Sequence, residues 1–353
     1  MKQIYNFSAG PAILPTSVLE TAQHELIKYR DSHISVMEMS HRSQDYLTIH
    51  NHAKALLLEL LDLDPKEYEV LFIQGGASLQ FTMIPLNYAQ TKTPYYINTG
   101  IWSQRALEEA QIINSNAKEI QLTNIPKEGA YLHLTTNDTI EGTSIYNLPK
   151  TNLPIVADMS SNILSYQYDF NQFDLIYAGA QKNLGLAGVT VVVLNKKFLP
   201  NTSQKLPTLL DYKTFTEHNS LFNTPPTYSI YIVREVLQWV KNMGGVKELE
   251  KEARKKADLL YKTIDHSKLF KNTVNINERS ITNIPFTTES KSLDQLFIEK
   301  ANKEGLINLK GHRIIGGMRA SIYNAMPYSG VKKLSEFIKA FDKEYAHVSH
   351  PNL

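Results

Sequence analysis

Residues 154–194 read PIVADMSSNILSYQYDFNQFDLIYAGAQKNLGLAGVTVVVL. Three apolar runs, at Pro154–Asp158, Asp174–Gly179 and Val189–Leu194, each have the length of one strand. Strands that are apolar throughout are typical of a sheet that helices cover on both faces. This segment therefore predicts buried strands of an α/β sheet.

The same pattern continues toward the N-terminus, where apolar runs alternate with amphipathic segments. Tyr68–Ile73, Tyr95–Asn98 and Tyr131–Thr135 are further strand candidates. In Tyr46–Leu63, apolar residues recur at helical spacing and form one stripe. Such alternation of strands and helices predicts a doubly wound, mostly parallel sheet of the α/β class.

The pattern changes after Pro225-Pro226, where helices are separated by shorter strands. The helices predicted in this part of the chain lie at about 228–242, 245–264, 292–304 and 329–345. They indicate a smaller C-terminal α+β domain that begins near residue 245, with Gly244-Gly245 as the break between two helices. The predicted division is an N-terminal segment at 1–15 that contributes to the active site, a large domain at 16–244 and a small domain at 245–353.

Composition and charge narrow the possible functions. Of the 353 residues, 42% are hydrophobic and 20% charged, and the formal net charge is +2. A nearly neutral chain without a basic run predicts no nucleic-acid partner. The densest charge cluster, Lys247–Lys262, predicts a solvated helix face. Because no stretch has the length of a membrane span and the N-terminus lacks the apolar core of a secretory signal, no membrane association and a cytoplasmic location are expected.

Cysteine and histidine usage bears on thiol and metal chemistry. The chain contains no cysteine, which excludes disulfides, thiolate metal sites and cysteine nucleophiles. His50 and His52 are two positions apart on a predicted helix and face different sides. His41 and His312 have no carboxylate at ligand spacing, so no metal site is expected.

Two polar side chains stand at the ends of predicted strands, where open α/β sheets bind their ligands. Asp158 ends one strand, and its carboxylate could bind a metal, cap the next helix or pair with a cationic ring nitrogen. Lys182 follows the strand Asp174–Gly179 among small residues. Burial and positive neighbours would lower the pKa of such a lysine and make it a usable amine nucleophile.

Two further features complete a possible cofactor site. Gln74–Ser78 follows a strand and opens a helix, so it could cradle an anion or be only a turn. Trp102 lies just past another strand, where it could stack on a planar ring or pack in the core. Pyridoxal phosphate requires an aromatic face, an acid, an amine and an anion cradle, and Trp102, Asp158, Lys182 and residues 75–78 supply one of each.

Longer motifs extend this interpretation over the whole chain. They are NFSAGPA (6–12), SHRS (40–43), NDTIEGT (137–143), LFNTPP (221–226) and GHRIIGGMRASIYNA (311–325). With these motifs in order, the sequence resembles the phosphoserine aminotransferase family, in the class V group of pyridoxal-phosphate enzymes of fold type I. Ala77 stands where some members of that family have arginine, and Ala9 where others have serine.

The resemblance implies a role for each residue that matches a family motif. Lys182 would hold the cofactor as a Schiff base and move the proton in catalysis, Asp158 would keep the ring nitrogen protonated, and Trp102 would stack on the ring. Further cofactor contacts would come from Gly76, Ala77, Thr139 and Gln181, and from Asn223 and Thr224 of the neighbouring subunit in a homodimer. The anionic groups of the substrate would be bound by His41, Arg42, His312, Arg313 and Arg319.

The resemblance also implies a reaction. Glutamate would transaminate 3-phosphohydroxypyruvate to O-phosphoserine for serine biosynthesis, with 2-oxoglutarate as co-product, and a phosphorylated keto acid of vitamin B6 biosynthesis would be a second substrate. Each substrate carries at least two negative charges, which suit planar arginine donors. Another class V aminotransferase or lyase, or a catalytically silent regulator that binds the cofactor, are the alternatives. The Lys182–Asp158 pair argues against the regulator.

Overall fold

The computed structural model describes residues 3–200 and 205–346. Its α-helices are α1 (Thr16–His24), α2 (Gln44–Leu60), α3 (Ser78–Tyr88), α4 (Ile101–Ile113), α5 (Tyr212–Glu217), α6 (Thr227–Asn242), α7 (Gly245–Asp265), α8 (Lys291–Lys303) and α9 (Tyr328–Tyr345). Its strands are β1 (Tyr5–Asn6), β2 (Tyr68–Gln74), β3 (Tyr95–Ile97), β4 (Lys118–Ile120), β5 (Leu132–Thr135), β6 (Asn137–Asp138), β7 (Thr143–Ser144), β8 (Ile155–Asp158), β9 (Leu175–Gly179), β10 (Val189–Asn195), β11 (Asn283–Phe286), β12 (Leu306–Ile307) and β13 (Met318–Ser321). Short 3-10 helices cover Val36–Glu38, Phe170–Gln172, Lys196–Phe198, Thr208–Leu210 and Ile276–Glu278. In the part of the chain that is described, no helix combines the length and apolar character that crossing a bilayer would need.

Within the described residues, seven strands form the large sheet, in the order β2-β10-β9-β8-β5-β3-β4. β10 runs antiparallel to both of its neighbours, and the other neighbouring pairs are parallel. The predicted α/β class with a mostly parallel sheet is therefore confirmed. The sequence does not predict edge strand β4, because its residues are largely exposed and form no apolar run.

Both faces of the large sheet are buried under helices. Along β2, Val70 and Phe72 belong to the core that contains residues of α2 and α6. The alternate residues Leu71 and Ile73 belong to the core that contains residues of α3, α4 and α5. Successive side chains of a strand point to opposite faces. A strand covered on both sides is therefore apolar at every position, as the sequence pattern indicates.

Another hydrophobic core lies in the C-terminal part of the chain. Helices α7, α8 and α9 pack with the antiparallel pair β11–β13, and Phe270, Phe297 and Phe341 are in mutual ring contact. Strand β1 pairs with β12 in parallel and places Phe7 in the same core. The N-terminal segment therefore packs against the C-terminal part, although the two are far apart in the sequence.

The predicted break between two helices at Gly244-Gly245 is confirmed. Both glycines have positive φ, 96° and 79°, which only glycine adopts without strain. The division into domains at 1–15, 16–244 and 245–353 stays a prediction. Residues 1–2, 201–204 and 347–353 of that division lie outside the described residues.

The prediction of a solvated face for Lys247–Lys262 is wrong at Lys256, which is 3% exposed. Its ammonium group donates hydrogen bonds to the carbonyl oxygens of Tyr323 and Met326, at 2.8 and 2.9 Å. Burial lowers the pKa of Lys256 to about 7. A lysine can be buried here because backbone carbonyls replace the water that its ammonium group loses.

Candidate active site

The carboxyl ends of β5, β8 and β9 lie side by side at one edge of the large sheet, since these strands are parallel neighbours. A cavity of about 260 Å³ lies at this edge. Ala9 and Gly10 of the N-terminal segment contribute to its wall. The site residues predicted from sequence that line this cavity are Gly76, Ala77, Trp102, Thr139, Asp158, Gln181, Lys182, His312 and Arg319.

Lys182 lies in the turn after β9, and its Nζ is 5.8 Å from the centre of the Trp102 ring. Burial lowers the pKa of Lys182, the charge of Arg319 acts in the same direction, and the carboxylates of Asp158 and Asp138 oppose them. The direction agrees with the sequence prediction. A lysine whose charged form is disfavoured supplies a neutral amine more readily than an exposed lysine.

Asp158 ends β8 and is 7% exposed. Its Oδ1 accepts a hydrogen bond from the backbone N–H of Ser160 at 2.8 Å, and the Ser160 hydroxyl accepts one from the N–H of Gly179 at 3.1 Å. The carboxylate thus caps a turn and also lines the cavity. Among the described residues, no group of three His, Asp or Glu side chains is arranged to hold a metal ion.

Trp102 lies in the first turn of α4, directly after β3, and faces the cavity. Its indole Nε1 donates a hydrogen bond to Thr139 Oγ1 at 3.0 Å, which fixes the plane of the ring. Because both side chains line the cavity, Trp102 can present a flat aromatic face to a bound ring.

Asp138 shapes the turn that carries Thr139, a role that the sequence interpretation missed. Its Oδ1 accepts hydrogen bonds from the N–H groups of Ile140 and Glu141 at 2.7 and 3.0 Å. Burial raises the pKa of Asp138, while these two hydrogen bonds and the charge of Lys182 oppose the rise. An aspartate that bonds to the backbone two residues on is the known signal of such a turn and could have been recognised in NDTIEGT.

The turn after β2 and the start of α3 form another wall of the cavity. Gly75 has a φ of 110°, and the next residues, Gly76, Ala77 and Ser78, line the cavity as α3 begins at Ser78. The first N–H groups of a helix have no partner within the helix, and the helix dipole favours an anion there. The amide group of Gln181 lies in the same wall, and its buried Oε1 has no hydrogen-bond partner among the described residues. This wall can hold a polar, anionic group.

Positive charge dominates another part of the cavity wall. Arg319, on β13, is half-buried, and its Nη1 donates to the carbonyl oxygen of Thr139 at 2.9 Å. Burial and then the charges of Arg319, Arg313 and Arg105 lower the pKa of His312. An anionic ligand would gain from these charges, and a guanidinium can bind a carboxylate or phosphate through two hydrogen bonds.

Other site residues predicted from sequence lie outside this cavity in the single chain: His41, Arg42, Arg313, Asn223 and Thr224. Arg42 and Arg313 are exposed. Asn223 Nδ2 donates a hydrogen bond to Oε1 of Gln74 at 3.2 Å, so its loop lies beside the carboxyl end of β2 in its own chain. The assignment of Asn223 and Thr224 to the neighbouring subunit's site stays a prediction.

Comparison with known proteins decides the family. Residues 4–334 match the family model of the class V aminotransferases. A phosphoserine aminotransferase of Bacillus cereus is 51% identical, over 98% of this chain and 99% of that protein. The chain belongs to the phosphoserine aminotransferase family. The family resemblance inferred from the motifs is thereby confirmed, and the protein is an aminotransferase.

Solved structures of phosphoserine aminotransferases have the same fold. The enzyme from Bacillus circulans subsp. alkalophilus superimposes with a TM-score of 0.93 at 44% identity, covering 97% of this chain and 99% of that one. A phosphoserine aminotransferase from Trichomonas vaginalis, solved with pyridoxal phosphate bound, gives a TM-score of 0.91 at 33% identity, covering 96% of this chain and 100% of that one. The predicted fold class therefore holds over nearly the full length.

Proposed function

We propose that the protein transfers the amino group of glutamate to 3-phosphohydroxypyruvate, forming O-phosphoserine and 2-oxoglutarate, with pyridoxal phosphate as cofactor. One observation carries the proposal: Lys182, Asp158, Trp102 and the start of α3 surround a single cavity. The pyridoxal phosphate bound by the Trichomonas vaginalis relative supports the cofactor. The phosphoserine aminotransferase of Bacillus cereus supports the product.

The residues of the cavity fit pyridoxal phosphate group by group. Asp158 would pair with the ring nitrogen, Trp102 would cover one face of the ring and Lys182 would bind its aldehyde carbon. The N–H groups of residues 76–78 would hold the phosphate at the start of α3, and Gln181 would contact it through its side-chain NH2 group, since the unpartnered Oε1 can only accept. When bound, the cofactor supplies an electron sink for the substrate's α-carbon.

The chain's own residues then have distinct tasks. With its amino group free, Lys182 would offer a neutral Nζ that could take the proton from the substrate's α-carbon and deliver it to the C4′ carbon of the cofactor. A lowered pKa suits this task, because it makes the neutral amine easier to obtain. Asp158 would lie opposite the ring nitrogen, and Trp102 would exclude water from one face of the ring.

Substrate selection follows from the charge of the cavity. Arg319 and His312 lie where a substrate carboxylate would enter, next to other positive charges. Glutamate and a phosphorylated keto acid both carry at least two negative charges, so both suit this wall. His41, Arg42 and Arg313 are assigned to the distal anion on the family resemblance. Because they lie outside the cavity of one chain, that contact needs the partner subunit or a movement of the chain.

The remaining parts of the proposal rest on the family resemblance and, for the location and the domain division, on the sequence pattern. The active unit is a homodimer in which Asn223 and Thr224 of each subunit contact the phosphate bound by the other. The phosphorylated keto acid of vitamin B6 biosynthesis is a second substrate, and the enzyme works in the cytoplasm. The chain is divided into an N-terminal segment, a large domain and a small domain at residues 15/16 and 244/245.

A half-reaction tests the proposed function. The purified enzyme, loaded with pyridoxal phosphate, is mixed with glutamate alone while its visible absorbance is recorded. We expect the visible band to disappear with release of about one 2-oxoglutarate per site, and 3-phosphohydroxypyruvate to restore the band. A protein that responds to alanine or serine but not to glutamate would instead be another class V enzyme, and one that responds to no amino acid would be a regulator.

A further inference from the structure

A line of buried polar side chains leads away from Asp158 into the sheet. Asp158 on β8 and Tyr177 on β9 are direct partners across two parallel strands, so their side chains leave the same face of the sheet. Tyr177 is fully buried, and after burial the charge of Asp158 is the next cause that raises the pKa of Tyr177. Tyr177 is therefore a neutral phenol, and it lies beside the Asp158 carboxylate on the same face of the sheet.

The Tyr177 hydroxyl also lies 2.9 Å from Nε2 of His133 on β5. His133 is 1% exposed, and burial lowers its pKa to about 3, so the ring is neutral at physiological pH. Because the phenol has one hydrogen and the carboxylate can only accept, Nε2 of His133 must donate to the phenol oxygen when the phenol donates to Asp158. Nδ1 of His133 is then a bare acceptor, in agreement with its lack of a hydrogen-bond partner among the described residues.

The surroundings of this line are phenols and apolar rings. The His133 ring stacks on Tyr96 at 4.8 Å, and the hydroxyl of Tyr96 lies 2.6 Å from that of Tyr131. Phe81 of α3 meets the Tyr177 ring edge-on, and Tyr212 of α5 adds to the causes that raise the pKa of Tyr177. In such a low-dielectric region, each hydrogen bond to a charged group is stronger than in water.

We propose that Tyr177 and His133 are positioning residues that act through Asp158: they donate hydrogen bonds in series and hold its carboxylate toward the cofactor's ring nitrogen. Neither residue lines the cavity, so neither touches the cofactor or the substrate. The inference rests on the proposed function, because it assigns Asp158 to the ring nitrogen. A carboxylate held in one orientation would bond the ring nitrogen more strongly, so the bound ring would withdraw electrons more strongly.

The test compares Tyr177→Phe with Tyr131→Phe in the enzyme loaded with pyridoxal phosphate. Both changes remove one buried hydroxyl, but Tyr177 is the cross-strand partner of Asp158, whereas the Tyr131 hydroxyl bonds to that of Tyr96. In Tyr177→Phe we expect the pH midpoint of the cofactor's visible band to rise, because a less electron-poor ring leaves the Lys182 nitrogen more basic. We also expect kcat to fall about tenfold, the equivalent of one hydrogen bond to a charged group, with little change in KM. Tyr131→Phe should leave both quantities near wild type.

A second pair of variants separates hydrogen bonding from packing. His133→Gln keeps an N–H donor, whereas His133→Leu removes it, so only the leucine variant should raise the midpoint. In an Asp158→Asn background, Tyr177→Phe should cause no further shift, since the two residues act as one unit. Equal midpoints in Tyr177→Phe and wild type, or in the two His133 variants, would overturn the inference. If Tyr177→Phe does not fold, the His133 pair decides.

These outcomes are independent of the proposed reaction. A wild-type enzyme that fails to react with glutamate would contradict the function, whereas the spectral titration reports only on the bound cofactor. A wild-type enzyme that transaminates normally, with a midpoint insensitive to Tyr177 and His133, would reject the positioning role and leave the function intact.

Discussion

Arg319 donates a hydrogen bond from Nη1 to the carbonyl oxygen of Thr139 at 2.9 Å. Thr139 also accepts, through its side chain, the indole hydrogen of Trp102 at 3.0 Å. Thr139, in the loop after β6, therefore bonds to both Arg319, the proposed substrate-binding residue on β13, and Trp102, the proposed stacking residue on α4. A guanidinium has five N–H donors, so this bond can orient Arg319 and still leave donors for a substrate anion.

Replacing Arg319 by leucine should weaken substrate binding and leave pyridoxal phosphate bound. A buried anion that loses its guanidinium partner loses about 2–5 kcal/mol, so kcat/KM for glutamate or for 3-phosphohydroxypyruvate should fall at least about thirtyfold. Arg254→Leu is the matched control, because Arg254 pairs with Glu250 on α7 and lies outside the cavity. This variant should have unchanged kinetics with both substrates. Unchanged kinetics with both substrates in Arg319→Leu would reject the substrate role.

Asp158→Asn should keep the fold and lose the negative charge opposite the ring nitrogen. An amide does not stabilise a protonated ring nitrogen as a carboxylate does. Loss of a charge-assisted hydrogen bond worth about 1.5–3 kcal/mol should lower kcat at least about tenfold. The asparagine side chain keeps an oxygen for the N–H of Ser160, so the turn cap should survive and the melting temperature should change little. Near-wild-type turnover in this variant would mean that Asp158 only caps the turn.

The sequence predicts the part of the site that depends on local rules. Lys182, Asp158 and Trp102 each follow a strand, and an open α/β sheet gathers such ends at one edge. The positions of Arg319 and His312 near these residues were predictable only from the family motif. No local rule predicts that the C-terminal part of the chain reaches that edge of the sheet.

The sequence does not predict contacts that depend on strand order. The Tyr177–His133 hydrogen bond joins β9 and β5, which both neighbour β8, and a single sequence does not reveal that order. The burial of Lys256 also escapes prediction, because the carbonyls that accept its hydrogen bonds belong to the turn after β13. Contacts between side chains and partners in distant segments are therefore known only from the structure.

Stability toward acid should depend on His50, which is fully buried with Nε2 2.9 Å from the carbonyl oxygen of Asn219. Burial, followed by the charge of Lys54, lowers the pKa of His50 to about 4, against about 6.5 in an unfolded chain. Between these values the unfolded chain binds more protons, so the free energy of unfolding falls as pH falls.

For His50 this loss amounts to about 2 kcal/mol between pH 7.5 and pH 5. His50→Gln keeps a donor for the Asn219 carbonyl and does not titrate, so its free energy of unfolding should fall by less over the same interval. Urea unfolding of both proteins at the two pH values measures the difference. If the free energy of unfolding falls equally in both proteins, protonation of His50 does not contribute to the loss of stability at low pH.

The active sites should be shared between two subunits. We expect a Lys182→Ala variant and a Thr224→Asp variant to be inactive alone, the second because its carboxylate repels the cofactor phosphate. After subunit exchange, roughly half of the dimers are mixed and each has one intact site of two, so roughly a quarter of wild-type activity should return.

Asn223 and Gln74 of the same chain are hydrogen-bonded, so the loop that carries Asn223 and Thr224 also lies near the proposed phosphate site of its own subunit. The exchange experiment distinguishes the two possibilities. If the loop serves its own subunit, every site in a mixed dimer carries a lesion. In that case no activity returns after exchange has been verified by native mass spectrometry.

The most direct measurement asks which lysine holds the cofactor. Half-buried Lys182 and buried Lys256 both have lowered pKa values, but only Lys182 lines the cavity, whereas Lys256 is hydrogen-bonded to carbonyls in the C-terminal part. The enzyme loaded with pyridoxal phosphate is reduced with borohydride, digested and mapped by mass spectrometry. We expect one pyridoxyl group per chain, on the peptide that contains Lys182. A pyridoxyl group on Lys256 or any other lysine, with Lys182 unmodified, would contradict the proposed active site.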